Sequence, residues 1–131
     1  MESQQIILAN EPRLLRTMLR SVFEKAPGFQ VAGEIGDLKE LPEVVGQTDP
    51  QWVIVSLWSS GRMPAVIASV LAEHPSVSIL GIAPSGSDMV IKHANAPERP
   101  LADLTLERLF AVLRDQRPEP VKMFQPTAQQ G

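Results

Sequence analysis

The chain contains no cysteine, so structural disulfides, thiolate zinc sites, iron–sulfur clusters and cysteine-nucleophile chemistry are all excluded, and a reducing compartment is permitted. Histidine is nearly as scarce. Two histidines leave little scope for a histidine metal centre, and no metal or cofactor is expected. There is no excess of basic residues either: 12 Lys and Arg stand against 15 Asp and Glu, a formal net charge of -3. Without a general attraction to phosphate backbones, nucleic acid is not an expected partner. No apolar run approaches the roughly 18 residues that a membrane helix needs, so no membrane association is expected. The opening Met1-Glu2-Ser3-Gln4-Gln5 has no basic region, and the apolar Ile6-Ile7-Leu8-Ala9 after it is too short for a signal-peptide core. A cytoplasmic protein is expected.

What is present is an ordinary globular composition, 44% apolar and 21% charged, in 131 residues. Against about 150 residues per domain, this predicts one domain with a core of its own. The expected boundaries are residues 1–117 for the domain and 118–131 for a flexible tail, because prolines, glutamines and a threonine dominate the last stretch.

Ile6-Ile7-Leu8-Ala9 reads as a short buried strand, followed by Asn10-Glu11-Pro12, where Asn10 or Glu11 can cap a helix that Pro12 starts. Over residues 13–26 the apolar Leu14, Leu15, Met18, Leu19, Val22 and Phe23 form one stripe opposite Arg13, Arg16, Arg20 and Glu24, the pattern of an amphipathic helix. Residues 29–34 alternate like a strand near a sheet edge. Asp37-Leu38-Lys39-Glu40 has capping-box spacing and opens a short helix that Pro42 is expected to limit. Trp52-Val53-Ile54-Val55-Ser56-Leu57-Trp58 is apolar on both faces, as a central parallel strand is. A loop, Ser59-Ser60-Gly61-Arg62-Met63, then leads to a helix carrying Val66, Ile67, Val70 and Leu71.

Residues 77–83 form the next strand, and only Pro84-Ser85-Gly86-Ser87-Asp88 separates it from the apolar Met89-Val90-Ile91. A parallel crossover needs a dozen or more residues, so these two strands are expected to pair antiparallel. Residues 94–104 read as an irregular link. Thr105 then caps a last helix carrying Leu106, Leu109, Phe110, Val112 and Leu113. The whole predicts a helix-flanked, mostly parallel sheet with one antiparallel edge, whose site lies at the carboxyl ends of the strands.

The segments Ile-Ile-Leu-Ala-Asn-Glu-Pro-Arg-Leu-Leu-Arg at 6–16, Phe-Gln-Val-Ala-Gly-Glu at 29–34, Asp-Pro-Gln-Trp-Val-Ile-Val-Ser-Leu at 49–57 and Glu-His-Pro-Ser-Val-Ser-Ile-Leu at 73–80 together resemble the receiver domain of bacterial response regulators. The resemblance covers roughly residues 5–115. It implies an α/β, three-layer, flavodoxin-like sandwich: a mostly parallel five-stranded sheet of order 2-1-3-4-5, here with the helix between strands 4 and 5 missing and strand 5 antiparallel at the edge. Receivers hold Mg²⁺ with an acidic pair after the first strand, and carry a phosphoacceptor Asp after the third, a Ser or Thr after the fourth and a Lys after the fifth. The matching positions are Asn10 and Glu11, Ser56, Ala83 and Lys92. A carboxylate nucleophile is needed to form an acyl phosphate, and only Glu11 of the acidic set remains, so the phospho-pocket is degenerate and no catalytic residue is expected. If strand 5 runs antiparallel, Lys92 lies at the wrong end of the sheet.

The expected function is that of a non-phosphorylatable, receiver-like signalling module, a pseudo-receiver of a bacterial two-component system, not an enzyme, acting by binding another signalling or regulatory protein. A homodimer remains open. Candidate partner-binding residues are Trp58, Val90 and Lys92 on the loop and altered edge, with Met123 and Phe124 in the tail. The alternative is a small-ligand or nucleotide-binding domain using the crevice by Asn10, Glu11, Ser56 and Ser60, at the ends of strands 1 and 3.

Overall fold

The computed structural model describes residues 4–10, 13–58, 62–83, 88–101 and 105–115. Along the chain run β1 (Gln4–Ala9), α1 (Arg13–Glu24), β2 (Phe29–Glu34), α2 (Leu41–Thr48), β3 (Trp52–Ser56), α3 (Val66–Glu73), β4 (Ser78–Ile82), β5 (Met89–Lys92), β6 (Arg99–Leu101) and α4 (Leu106–Asp115). The strands form one sheet of order β2-β1-β3-β4-β5-β6. The first four are parallel, while β4–β5 and β5–β6 are antiparallel. Residues 83–88 alone join β4 to β5, too few for a crossover helix, so the chain folds straight back.

The order 2-1-3-4-5 and the antiparallel fifth strand are as expected. A sixth strand adds a correction: β6 pairs outside β5, with Met89 opposite Leu101 and Ile91 opposite Arg99, and takes the edge that β5 was expected to hold. Its three residues include Pro100, which has no N–H to offer a neighbour, and a proline in a strand is tolerated at an edge.

The two faces of the sheet bury separate cores. On one face Ile6, Leu8, Trp52, Ile54, Leu80, Ile82, Met89 and Ile91 meet Leu19 and Phe23 of α1 and Leu109, Val112 and Leu113 of α4. On the other, Ile7, Val53, Val55 and Ile79 meet Leu41 and Val45 of α2 and Ile67, Val70 and Leu71 of α3. β1 and β3 contribute to both, which is why neither alternates in polarity. The α4 face is pinned by Phe23, Phe29 and Phe110, whose ring centroids lie 5.5–5.8 Å apart, with the Arg114 guanidinium 5.1 Å from the Phe29 centroid. At the same end the Trp52 indole Nε1 donates to the Leu113 carbonyl at 3.2 Å.

Three local expectations change. Leu14 and Met18 lie on the apolar stripe of α1 yet are 69% and 55% exposed, because α1 meets the sheet through Leu15, Leu19 and Phe23. Leu106 of α4 is likewise exposed. Arg16, expected on the solvated face, has a side chain only 13% exposed. Finally, Asp37 accepts from the Lys39 N–H and caps a single 3₁₀ turn, after which Pro42 stands in the first turn of α2 and starts that helix instead of limiting it. The first-turn N–H groups of a helix need no partner, so proline costs nothing there. Thr105 caps α4 as expected, its hydroxyl accepting from the Arg108 N–H at 3.1 Å. Among the described residues no helix is long and apolar enough to cross a membrane.

Candidate functional site

The carboxyl ends of β1 and β3 lie side by side because the two strands pair in parallel, with Ala9 opposite Val55. This register brings together Asn10, the residue after β1, and Ser56, the last of β3. Asn10 is wholly buried, and its Nδ2 donates to Ser56 Oγ at 3.2 Å. The Asn10 backbone is held from the α1 side, where Arg16 Nη1 donates to the Asn10 carbonyl at 3.3 Å and to the Ile35 carbonyl at 3.1 Å. Gly36 lies alongside this arginine, where a Cβ would be in ordinary van der Waals contact with Nη1. Beyond its two carbonyls, the guanidinium Nε lies 3.9 Å from Glu34 Oε1. The crevice expected from the fold is therefore spanned by an amide–hydroxyl pair, with an arginine locked beneath it.

A cavity of about 190 Å³ opens next to this pair, lined by Ala9, Leu38, Ser56, Leu57 and Trp58. Ser56 is its polar side chain, while the Trp58 ring, 49% exposed, stands at the rim. The Trp58 N–H donates to the Arg62 carbonyl at 2.9 Å, which closes the loop after β3. Of the other matched positions, Ala83 follows β4 directly and its N–H donates to the Asp88 carbonyl, closing the β4–β5 hairpin. Lys92 is opposite Ile79, three residues back from the end of β4, or about 10 Å along the strand. Its Nζ donates to the Ala96 carbonyl at 3.0 Å and so ties the turn after β5. Antiparallel pairing thus separates Lys92 from Asn10 and Ser56, and its expected place at the open edge passes to β6. Glu11, Ser60, Met123 and Phe124 lie outside the described residues.

Mg²⁺ takes hard oxygen ligands, mostly carboxylates and water, in a near-octahedral set. Asn10 and Ser56 offer an amide and a hydroxyl already bonded to each other, and among the described residues no group of three His, Cys, Asp or Glu side chains comes together. The described residues do not fit that ion. An acyl phosphate likewise needs a carboxylate where Ser56 stands.

A second opening could not be read from the sequence. Leu57, Ala83, Asp88, Val90, Pro100 and Leu101 border a groove of about 450 Å³. Val90, Ala83 and Leu57 belong to the core shared with α2 and α3, so the groove lies on that face, over the antiparallel part of the sheet that no crossover helix covers. Val90 is half-buried there, flanked by Gly81 on β4 and Pro100 on β6.

No protein-family model matches the chain, and no curated protein matches it. Among solved structures it is similar to a two-component response regulator of the LuxR family from Aurantimonas sp. SI85-9A1, with 22% identity and a TM-score of 0.55 over 63% of this chain and 59% of that one. It is also similar to a doubly substituted form of the anti-anti-sigma factor PhyR from Bartonella quintana, with 17% identity and a TM-score of 0.49 over 62% of this chain and 34% of that one. The chain spans less than two thirds of the length of either protein. The likeness is one of fold: this is a receiver-like α/β domain whose last strands form an antiparallel β4–β5–β6 edge.

Proposed function

We propose that this receiver-like domain is a signalling or regulatory module that takes no phosphoryl group and acts by binding another protein. The observation that carries the reading is the Asn10–Ser56 pair. A neutral amide and a hydroxyl occupy the two positions where receiver chemistry needs a metal-binding carboxylate and a carboxylate nucleophile. Lys92, the third participant, is opposite Ile79 and far from both.

The binding half of the reading rests on surface. Trp58 is half-exposed beside the cavity, and an exposed aromatic on a loop has the area and rigidity of an interface anchor. Val90 stands in the groove that the absent crossover helix leaves open. Together these give a partner an aromatic knob and an apolar recess at the same end of the sheet. The partner is another signalling or regulatory protein, or a second copy of this chain, and the setting is a bacterial cytoplasm.

A small-ligand reading draws on the cavity of about 190 Å³, but no charged side chain is among its lining residues. Ligand sites orient their occupants with a few convergent polar groups. Without a charged group to meet a phosphate, the cavity gives a nucleotide little support.

Incubation of the full chain with acetyl phosphate and Mg²⁺, followed by intact mass measurement under conditions that preserve acyl phosphates, tests the first half. The expected mass is unchanged, and the addition of one phosphoryl group would overturn it. A photo-crosslinking residue at position 58, used in cells, tests the second half. One defined protein adduct is expected, and its absence counts against the Trp58 surface.

A further inference from the structure

Leu14 and Met18 stand exposed one turn apart on α1, while Leu15, Leu19 and Phe23 make its contact with the sheet. Four residues of helix set this apolar pair about 6 Å apart. Arg13, also exposed, comes just before it.

On the other face of the sheet, the strip between α3 and β6 has an opening at each end of β5. The groove of about 450 Å³ at Val90 lies at one end, with the exposed Asp88 at its border. A second opening, of about 260 Å³, lies at the other, where Lys92 and Ala94 face Ala68 and Ala72 of α3. Side chains two apart on a strand point the same way, so Val90 and Lys92 share this face about 7 Å apart. The Lys92 ammonium is tied back to the Ala96 carbonyl, which leaves its aliphatic stem to line the opening.

The two rows match in spacing and order: Arg13, Leu14, Met18 along α1, and Asp88, Val90, Lys92 along β5. They also match in charge. α1 and α4, in the layer that bears the apolar pair, carry five arginines against three acidic residues, whereas α2 and α3, in the layer beside the groove, carry Glu43 and Glu73 and no basic residue. The two faces of one molecule are therefore complementary when they meet across two copies.

We propose that the groove takes a second copy of this chain: α1 of one molecule lies along β5 of the next, with Leu14 over Val90, Met18 over Lys92 beside Ala68 and Ala72, and Arg13 facing Asp88. Knob and groove are different surfaces, so each molecule offers one of each and the contact repeats head to tail instead of closing a two-fold dimer. The patch is small, and the association is accordingly weak and reversible. This inference rests on the binding half of the proposed function and names the partner.

Sedimentation velocity of the full chain from about 10 µM to about 1 mM covers the range of a small, transient interface. The mean mass should rise with concentration past that of a dimer, and rise less in about 0.5 M salt, which screens the pairing of Arg13 with Asp88. Leu14→Glu blocks the knob and Asp88→Arg blocks the groove; both positions are exposed, so the fold is kept. Each variant alone should stay monomeric. Their equimolar mixture should form a dimer and stop there, since one variant keeps its groove and the other its knob. A mixture that stays monomeric would overturn head-to-tail docking, as would a wild-type mass that levels off at a dimer and survives Leu14→Glu. A wild type that is monomeric throughout also overturns the inference. In that case an adduct with another protein from the crosslinker at position 58 leaves the proposed function standing, and the absence of any adduct removes both.

Discussion

Gly81 sits in the middle of β4 beneath the Leu57 side chain, and replacing it with alanine tests how tightly the carboxyl end of the sheet is packed. A Cβ at this position would lie 2.5 Å from Leu57 Cδ2, 3.0 Å from Leu57 Cγ and 3.1 Å from Met63 Cε. The closest contact is about 1 Å inside ordinary van der Waals separation. Two opposing terms set the outcome. Alanine in place of a strand glycine gains about 0.5–1 kcal/mol of backbone entropy, whereas forcing a methyl into a packed core costs about 1–3 kcal/mol. The clashing atom is the end of a flexible side chain that borders two cavities, so Leu57 can yield, and the cost belongs toward the lower end of that range. Gly81→Ala should therefore destabilise by about 0.5 kcal/mol, a fall in Tm of roughly 1–3 °C for a chain of this size. In a Leu57→Ala background the two closest contacts are gone and only the approach to the flexible end of Met63 remains, so the same Gly81→Ala change should stabilise by up to about 0.5 kcal/mol. Urea unfolding of the four proteins in this cycle gives both numbers. Equal effects of Gly81→Ala in the two backgrounds would refute the packing of Leu57 over Gly81.

Other substitutions probe separate joints. Trp52→Phe removes the donor to the Leu113 carbonyl and leaves a buried acceptor unpaired, a loss of about 1–3 kcal/mol, with faster amide exchange in the last turn of α4 as its local signature. Arg16→Ala strips two carbonyls of their donor and should cost about 2 kcal/mol in chemical denaturation, with Arg16→Lys restoring only part of it, because an ammonium can donate to both carbonyls, as Nη1 does, but from a shorter stem. Trp58→Ala should leave stability within about 0.5 kcal/mol while weakening binding to whatever partner crosslinks at position 58. The hydrogen bond from Arg20 to Glu24, then that to Glu34 and the charges of both, raises the Arg20 pKa above the ordinary guanidinium value. A raised cationic pKa adds stability that is complete below the unfolded pKa and is lost only as pH rises through the folded one. Arg20→Ala should therefore leave the dependence of unfolding on pH unchanged between about 5 and 9, measured by urea midpoints.

Much of this architecture is written in short-range patterns. The doubly apolar run from Trp52 to Leu57 marks the sheet centre, and the few residues between β4 and β5 force the antiparallel return, because loop length alone forbids a crossover. β6 escaped because Arg99-Pro100-Leu101 is too short for any period to show and contains a residue that argues against a strand. Arg16 was placed on the wrong face for a different reason. Helical periodicity orders the residues around α1 but does not say how far the long arginine stem reaches, and its acceptors, the Asn10 and Ile35 carbonyls, are brought to it by the ends of β1 and β2. Leu14 and Met18 show the converse, an apolar stripe wider than the contact it makes. At the site, each residue type was readable by position, but the bond between Asn10 and Ser56 joins groups 46 residues apart and is a product of strand register.

The central claim is the proposal that the crevice between β1 and β3 takes neither Mg²⁺ nor a phosphoryl group. The most direct test is an amide NMR titration of the full chain, first with Mg²⁺ and then with beryllofluoride, following Ala9, Asn10, Ser56 and Trp58. A folded spectrum in which none of these signals moves is the predicted result. Specific, saturable shifts at Asn10 and Ser56 would contradict it and show that the pocket still takes a cation and a phosphoryl group.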